Sequence, residues 1–324
     1  MPYDAAYFTR QSDWVAGLSR VPSLSFWLEL NPQLTISDRP FSPMPPPYQV
    51  SSQEVEQALE QVREEGYLQT SPAIPPEICK ALSDGVLSII EAGLHPIFIS
   101  LYDEFWQMAG SLSKVMAPVL GNDYLALGDF WCWCVSPGTA GWRPHRDYQF
   151  RGSVLRQDGR PTIVTAWLPL TDTDPLNGCI SIVPQNLDVH YPNDLHNFAI
   201  PAPQDIRALP ARAGSVLAWN QYLLHWGGRC TKWAKNPRIS VGIYLQSGDL
   251  VPFVNKPVRF GEALPFSVRL GFIASNLLNY HQYHVYPQEV LRMCYEHIQN
   301  LTGFVSLVPP DLRHPMADYL DEVS

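Results

Sequence analysis

The chain has 324 residues, 46% hydrophobic and 16% charged, with a net charge of −9. This length and composition allow one large domain or two small ones, with a full apolar core, and the 31 prolines fall among apolar segments as loop and strand-end punctuation. Negative charge without a basic run argues against nucleic acid or anionic membrane partners, and no apolar run is long enough to span a bilayer.

The opening Met1-Pro2-Tyr3-Asp4-Ala5-Ala6-Tyr7 lacks a basic and then apolar leader, so a cytoplasmic protein is expected. The six cysteines show no paired Cys-x-x-Cys spacing and fit a reduced setting. Residues 1–50 read as an aromatic-rich extension, with a short helix near Tyr7–Leu18 and then an extended wrap. Ser51 and Glu54 form a capping box that predicts a helix to about Glu65, stopped at Gly66. Tyr67-Leu68 reads as a short strand. Pro75-Pro76 opens a second helix, apolar at Ile78, Leu82, Val86, Ile89 and Ile90 and closed at Gly93. A third helix is expected over Ile97–Leu120, ending at Gly121. Residues 51–121 thus form a helical buttress.

From Tyr124 the pattern changes to short strands, with candidates at Leu125–Val135, Thr162–Leu170, Cys179–Val183, Ser215–Asn220 and Ile239–Gln246. That spacing over 122–250 suggests an antiparallel sandwich or barrel. Asn177-Gly178 reads as a hairpin turn between two of these strands. After Leu250 the periodicity loosens, an amphipathic helix is expected over Pro287–Leu301, and the tail from Val308 to Ser324 is expected at the surface. Residues 251–324, rich in aromatics, are expected to form part of a substrate entrance. No internal repeat is present.

The chemistry concentrates in Gly141-Trp142-Arg143-Pro144-His145-Arg146-Asp147. On an extended segment His145 and Asp147 project to the same side, so both can reach one metal ion. A third ligand, His225, is expected on a later strand, after Gly214 and its apolar run and before Gly227-Gly228. Two His and one carboxylate form the facial set of a non-haem iron oxygenase. Arg238 opens a strongly apolar strand, where a cation is costly unless paired. A dicarboxylate cosubstrate would pair it bidentately. His281 and His284 leave two readings open, a second metal site or structural imidazoles in an aromatic loop. Tyr148, Gln149 and Arg151 face either a substrate or the loop itself. Trp131, Trp133 and Trp142 are expected in the core and pocket wall, and His190 and His196 carry no signal.

Taken together, these residues resemble the phytanoyl-CoA dioxygenase family of iron(II)/2-oxoglutarate oxygenases over residues 60–250. The resemblance rests on Glu65-Gly66-Tyr67, the helix after Pro75, and His145-Arg146-Asp147 behind the Trp131–Val135 strand. Thr165 to Asp172, Asn177 to Pro184, Gly214 to His225, and Arg238 complete it. It implies a mainly β fold, a double-stranded β-helix (jelly roll, cupin-like) core buttressed by N-terminal helices. Inside it would sit Fe(II) and 2-oxoglutarate, with O2 as the further cosubstrate. His145, Asp147 and His225 match the metal triad, Arg238 the residue on the far carboxylate of 2-oxoglutarate, and Trp167 a tryptophan beside it. Gly227 stands where the family often has Ser, which leaves Ser240 as the candidate for a second cosubstrate contact. Gln185-Asn186-Leu187 stands where the family tends to have Gly-Ser-His, a departure expected to affect a loop. The implied activity is hydroxylation of a small molecule (an amino acid, a lipid-like acid or a natural-product intermediate) by a monomer or homodimer, releasing succinate and CO2. Alternatives are desaturation, epimerisation or cyclisation at the same iron, or a non-catalytic jelly-roll binding protein. With Asp147 as third ligand, hydroxylation is favoured over halogenation.

Overall fold

The computed structural model describes residues 17–41, 51–147, 155–199, 202–252, 256–281, 283–284, 286–301 and 303–304. The helix expected at Tyr7–Leu18 falls outside them except for its last two residues, which are helical. Tyr148, Gln149, Arg151 and the tail from Val308 lie wholly outside.

Helix α1 (Leu24–Leu30) buries Trp27, whose indole donates to the Val21 carbonyl at 2.8 Å. Helix α2 (Ser52–Glu65) begins at the expected capping box. Glu54 N donates to Ser51 Oγ at 3.2 Å, and Ser51 N donates back to Glu54 Oε2 at 2.8 Å. Gly66 ends the helix at φ 85°, a left-handed cap that glycine adopts without a Cβ penalty. The chain then enters β1 (Tyr67–Gln69). In α3 (Pro76–Glu91) Pro sits at the first position, and Leu82, Val86 and Ile89 are buried.

The single helix expected over Ile97–Leu120 is in fact three pieces: a 3-10 turn at Pro96–Leu101, α4 (Asp103–Gly110) and α5 (Ser113–Leu120). Tertiary bonds break it. Tyr102 is extended (φ −88°, ψ 146°), with its hydroxyl held between Asn31 Nδ2 and the Trp27 carbonyl, each at 2.8 Å. The next residue, Asp103, accepts from Ser37 N at 3.0 Å and pairs with Arg269 at 2.6 Å. At the second break, the Ser111 hydroxyl turns back to the Gln107 carbonyl at 2.6 Å, a side-chain bond that competes with helix continuation.

The remaining strands are β2 (Leu125–Val135), β3 (Trp142–His145), β4 (Ile163–Pro169), β5 (Ile180–Val183), β6 (Arg207–Leu209), β7 (Leu217–Asn220), β8 (Leu224–Gly227) and β9 (Arg238–Gln246). They form two antiparallel sheets, ordered β1-β7-β4-β9-β2 and β3-β8-β5-β6. Gly178 has the positive φ of 87° that Asn177-Gly178 suggests, yet the turn is not a hairpin. β4 pairs with β7 and β9, whereas β5 pairs with β6 and β8. The turn therefore carries the chain from one sheet to the other. Its loop is closed by side chains: Leu176 N and Asn177 N donate to Asp174 Oδ1, and Asn177 Nδ2 donates to the Asp172 carbonyl.

Beyond residue 250 the loose periodicity conceals α6 (Phe266–Asn279), buried without a break from Arg269 to Leu278. A helix buried all round has no polar face to give it a period. Helix α7 (Gln288–Gln299) lies within the expected span. Side-chain alternation then sorts the strands into two cores. Val164, Ala166, Ile239, Val241 and Ile243 pack outward against the helices, in an apolar core that continues from Val21 to Phe304. Trp167, Leu217 and Trp219 point inward and meet Ile180, Ile182 and Leu209 of the smaller sheet. The fold is a mainly β jelly roll with flanking helices. All six cysteines are free and buried. Among the described residues, no helix is long and apolar enough to cross a membrane.

Candidate metal centre

Strands β3 and β8 are neighbours with His145 directly opposite His225, and Asp147 lies just beyond the end of β3. His145 Nε2 is 3.5 Å from Asp147 Oδ1, and His225 Nε2 is 3.5 Å from Asp147 Oδ2. One ligand atom from each of the three lies within 4.8 Å of the others. Each imidazole Nδ1 sits on the backbone carbonyl two residues upstream, Arg143 at 2.8 Å and Leu223 at 3.0 Å. That bond fixes the tautomer with Nε2 as the acceptor, the arrangement a metal ligand needs. Burial pushes His225 down to about 4, against the charge of Asp147, so its imidazole is neutral near pH 7. Burial works to raise the Asp147 carboxyl. The charge of His225, the hydrogen bond and charge of His145, and the Thr165 hydroxyl outweigh it and hold the group well below the carboxylate range.

Three residues with no assigned role in the sequence reading hold Asp147 in place. Thr165 Oγ1 donates to Oδ2 at 2.7 Å and Trp219 Nε1 donates to it at 2.8 Å. The Tyr244 hydroxyl also bonds this carboxylate. Strand alternation carried the signal: Thr165 shares a face with Trp167, Trp219 with Leu217, and Tyr244 with Arg238. Between the ligands, Arg146 is held by a carboxylate outside the triad. It pairs with Asp188 at 2.7 Å and donates to the Tyr222 carbonyl at 2.9 Å, which ties the loop after β5 to the site.

The triad lines a cavity of about 620 Å3. Trp131, Trp133, Trp142, Trp167, Arg238, Tyr280 and Tyr283 line it too. Arg238 is buried on β9 with its guanidinium carbon 6.0 Å from the Trp167 ring centre. A Cβ added at Gly227 would lie 2.7 Å from Arg238 Nη1, so the glycine leaves room for the guanidinium. Ser240 is two residues along the same face of β9, fully buried, and its hydroxyl has no hydrogen-bond partner among the described residues. Two imidazoles and a carboxylate suit iron(II). A buried guanidinium and an orphan hydroxyl suit the far carboxylate of a dicarboxylate, so the residues fit both groups. His281 and His284 are not joined by a third ligand among the described residues. His284 stacks on Trp131 with ring centres 5.3 Å apart, and burial pushes it down to about 4.

Residues 95–232 match the family model described as phytanoyl-CoA dioxygenase (PhyH). No curated protein matches the sequence. Among solved structures, the chain is similar to the epimerase SnoN in complex with Fe3+, alpha ketoglutarate and nogalamycin RO (16% identity, 66% of this chain and 96% of that one, TM-score 0.45). It is also similar to AviO1 from Streptomyces viridochromogenes Tue57 (15% identity, 63% and 100%, TM-score 0.49). A third is the carbocyclase SnoK from nogalamycin biosynthesis (17% identity, 64% and 88%, TM-score 0.47).

Proposed function

We propose that this chain, with its phytanoyl-CoA dioxygenase segment, is an iron(II)- and 2-oxoglutarate-dependent oxygenase that hydroxylates a small molecule. The observation that carries the reading is the convergence of His145, Asp147 and His225 on one side of a cavity whose wall also holds Arg238. When bound, the metal and the oxo acid supply oxygen activation coupled to decarboxylation of the oxo acid to succinate. The chain's own residues do the rest. His145, Asp147 and His225 hold the metal, and Thr165, Trp219 and Tyr244 orient the carboxylate. Arg238 pairs with the far end of 2-oxoglutarate, with Trp167 alongside and Ser240 as a second donor. Trp131, Trp133 and Trp142 keep water from the reacting face, and Tyr280 and Tyr283 bring the C-terminal segment to the substrate entrance.

Anaerobic iron(II) and 2-oxoglutarate should give a weak visible charge-transfer band, absent in His225→Ala. Substrate screening should then reveal stimulated succinate release. A wild-type protein with no band, indistinguishable from His225→Ala, would sink the assignment. Product mass separates the outcomes at this site: one added oxygen for hydroxylation, two lost hydrogens for desaturation or ring closure, and no change for epimerisation. With Asp147 as a third protein ligand, no place in the triad would be left for a halide, which supports hydroxylation over halogenation.

A further inference from the structure

A second carboxylate faces the same cavity and has no part in holding the metal. Asp129 lies in β2 where the pairing with β9 slips. Ala126 is opposite Leu245 and Phe130 is opposite Ile243, so three β2 residues stand against Tyr244 alone. Such a bulge re-aims side chains. Here Gly128 takes φ 75° and Asp129 lines the cavity. Its Oδ1 accepts from the Tyr280 hydroxyl at 3.2 Å, and among the described residues it makes no ion pair.

An aromatic wall runs from Asp129 toward the metal ligands. Tyr280 and Trp131 have ring centres 4.6 Å apart, Tyr280 and Tyr283 6.2 Å, Tyr283 and Trp142 5.7 Å, and Trp142 and His145 6.1 Å. Aromatic faces attract cations when the site is desolvated. Charge balance points the same way. Iron(II) and 2-oxoglutarate bound to Asp147 and Arg238 bring the centre to neutrality. Of the other cavity arginines, Arg146 is paired with Asp188 and Arg143 is exposed to solvent. Asp129 is the carboxylate left over.

We infer that the substrate carries a cationic nitrogen, seated on the Asp129 carboxylate against Tyr280 and Trp131, with its carbon skeleton running along Trp142 toward His145. This rests on the oxygenase reading and names the substrate class for that site. Burial raises the Asp129 carboxyl to about 7, helped by the charge of Asp147 and opposed by the Tyr280 bond. A substrate cation would offset that cost of ionisation.

The test uses two probes that differ in one group, phenethylammonium and phenethyl alcohol. Each is titrated calorimetrically into the intact protein, once metal-free and once anaerobically with iron(II) and 2-oxoglutarate. The ammonium is expected to bind about tenfold tighter in both forms. Asp129→Asn, close in shape to the native residue and checked for an unchanged fold by circular dichroism, should bring the two probes within about twofold. Tyr280→Phe keeps the ring and the carboxylate and should retain the preference. Equal affinities in the wild type, no binding of either probe, or a preference that survives Asp129→Asn overturns the inference. Equal affinities in the wild type with an intact charge-transfer band refute the inference alone. A missing band with the preference intact refutes the metal assignment alone.

Discussion

Room for one guanidinium is the central feature of the proposed cosubstrate pocket. A Cβ at Gly227 would stand 2.7 Å from Arg238 Nη1 and 3.0 Å from Nη2. At Gly227, where the resemblance places a Ser, the space is thus taken by the guanidinium. On the proposed pairing, Arg238→Met would leave the far carboxylate of 2-oxoglutarate unpaired. Breaking a buried pair costs about 3–5 kcal/mol, roughly two to four orders of magnitude in KM for 2-oxoglutarate. Gly227→Ser should raise the same KM in the same direction by pushing the guanidinium aside. If Arg238 were only structural, Arg238→Met would lower Tm without cosubstrate and leave that KM within a few-fold. One step further from the metal, Trp219→Phe removes a 2.8 Å bond to Asp147. Loss of such an orienting partner typically weakens metal binding about 10- to 100-fold, which anaerobic titration of the charge-transfer band would read. Unchanged iron affinity in Trp219→Phe would mean that Thr165 and Tyr244 suffice.

The elements differ in how openly their sequences declare them. Ser51, Glu54 and Gly66 announce α2 because capping is a local matter of adjacent side chains and backbone groups. The alternation of Ile239, Val241 and Ile243 marks β9, and the two-residue spacing of His145 and Asp147 marks the candidate metal set for the same local reason. The first break in the 96–120 segment depends on Asn31, Ser37 and Arg269, residues distant in sequence whose contacts no local period encodes. The β2 bulge that turns Asp129 into the cavity is equally hidden, since it is a mismatch between two strands. Gly128 is its hinge. A Cβ there would collide with Phe272 Cε1 while the backbone holds φ 75°. Left-handed backbone costs a non-glycine residue about 1–2 kcal/mol, and overpacking adds about 1–3 kcal/mol. Gly128→Ala should therefore destabilise the protein by about 2–5 kcal/mol in a urea melt. A loss under half a kcal/mol, about the size of a neutral surface change, would show that α6 yields and that the bulge is not held by close packing.

At the scale of the whole molecule the two sheets are unequally supported. The larger sheet is backed by helices in a core that continues from Val21 to Phe304. The smaller sheet consists of strands of four, four, four and three residues, and along β3 no residue is fully buried. The proposed metal ligands belong to this weaker sheet and its continuation, His145 on β3, His225 on β8 and Asp147 just past β3. The proposed cosubstrate contacts, Arg238 and Ser240 on β9 and Trp167 on β4, belong to the stronger one. A bound iron–2-oxoglutarate pair would join the two sheets across the cavity. Ligand that binds only the closed form stabilises it by about 2.7 kcal/mol at a hundredfold excess over Kd. Amides that exchange by opening of the small sheet should then slow by about a hundredfold. The expected pattern in hydrogen exchange is strong slowing over Trp142–His145 and Leu224–Gly227, with little change in α3 or on the helix-facing side of β9. A chelator should reverse it. Equal slowing in both sheets would mean that they open as one unit and that the smaller is not the weaker. No slowing at β3 and β8 would mean that the ligands do not bridge the sheets, and the placement of Arg238 opposite the metal would lose its purpose.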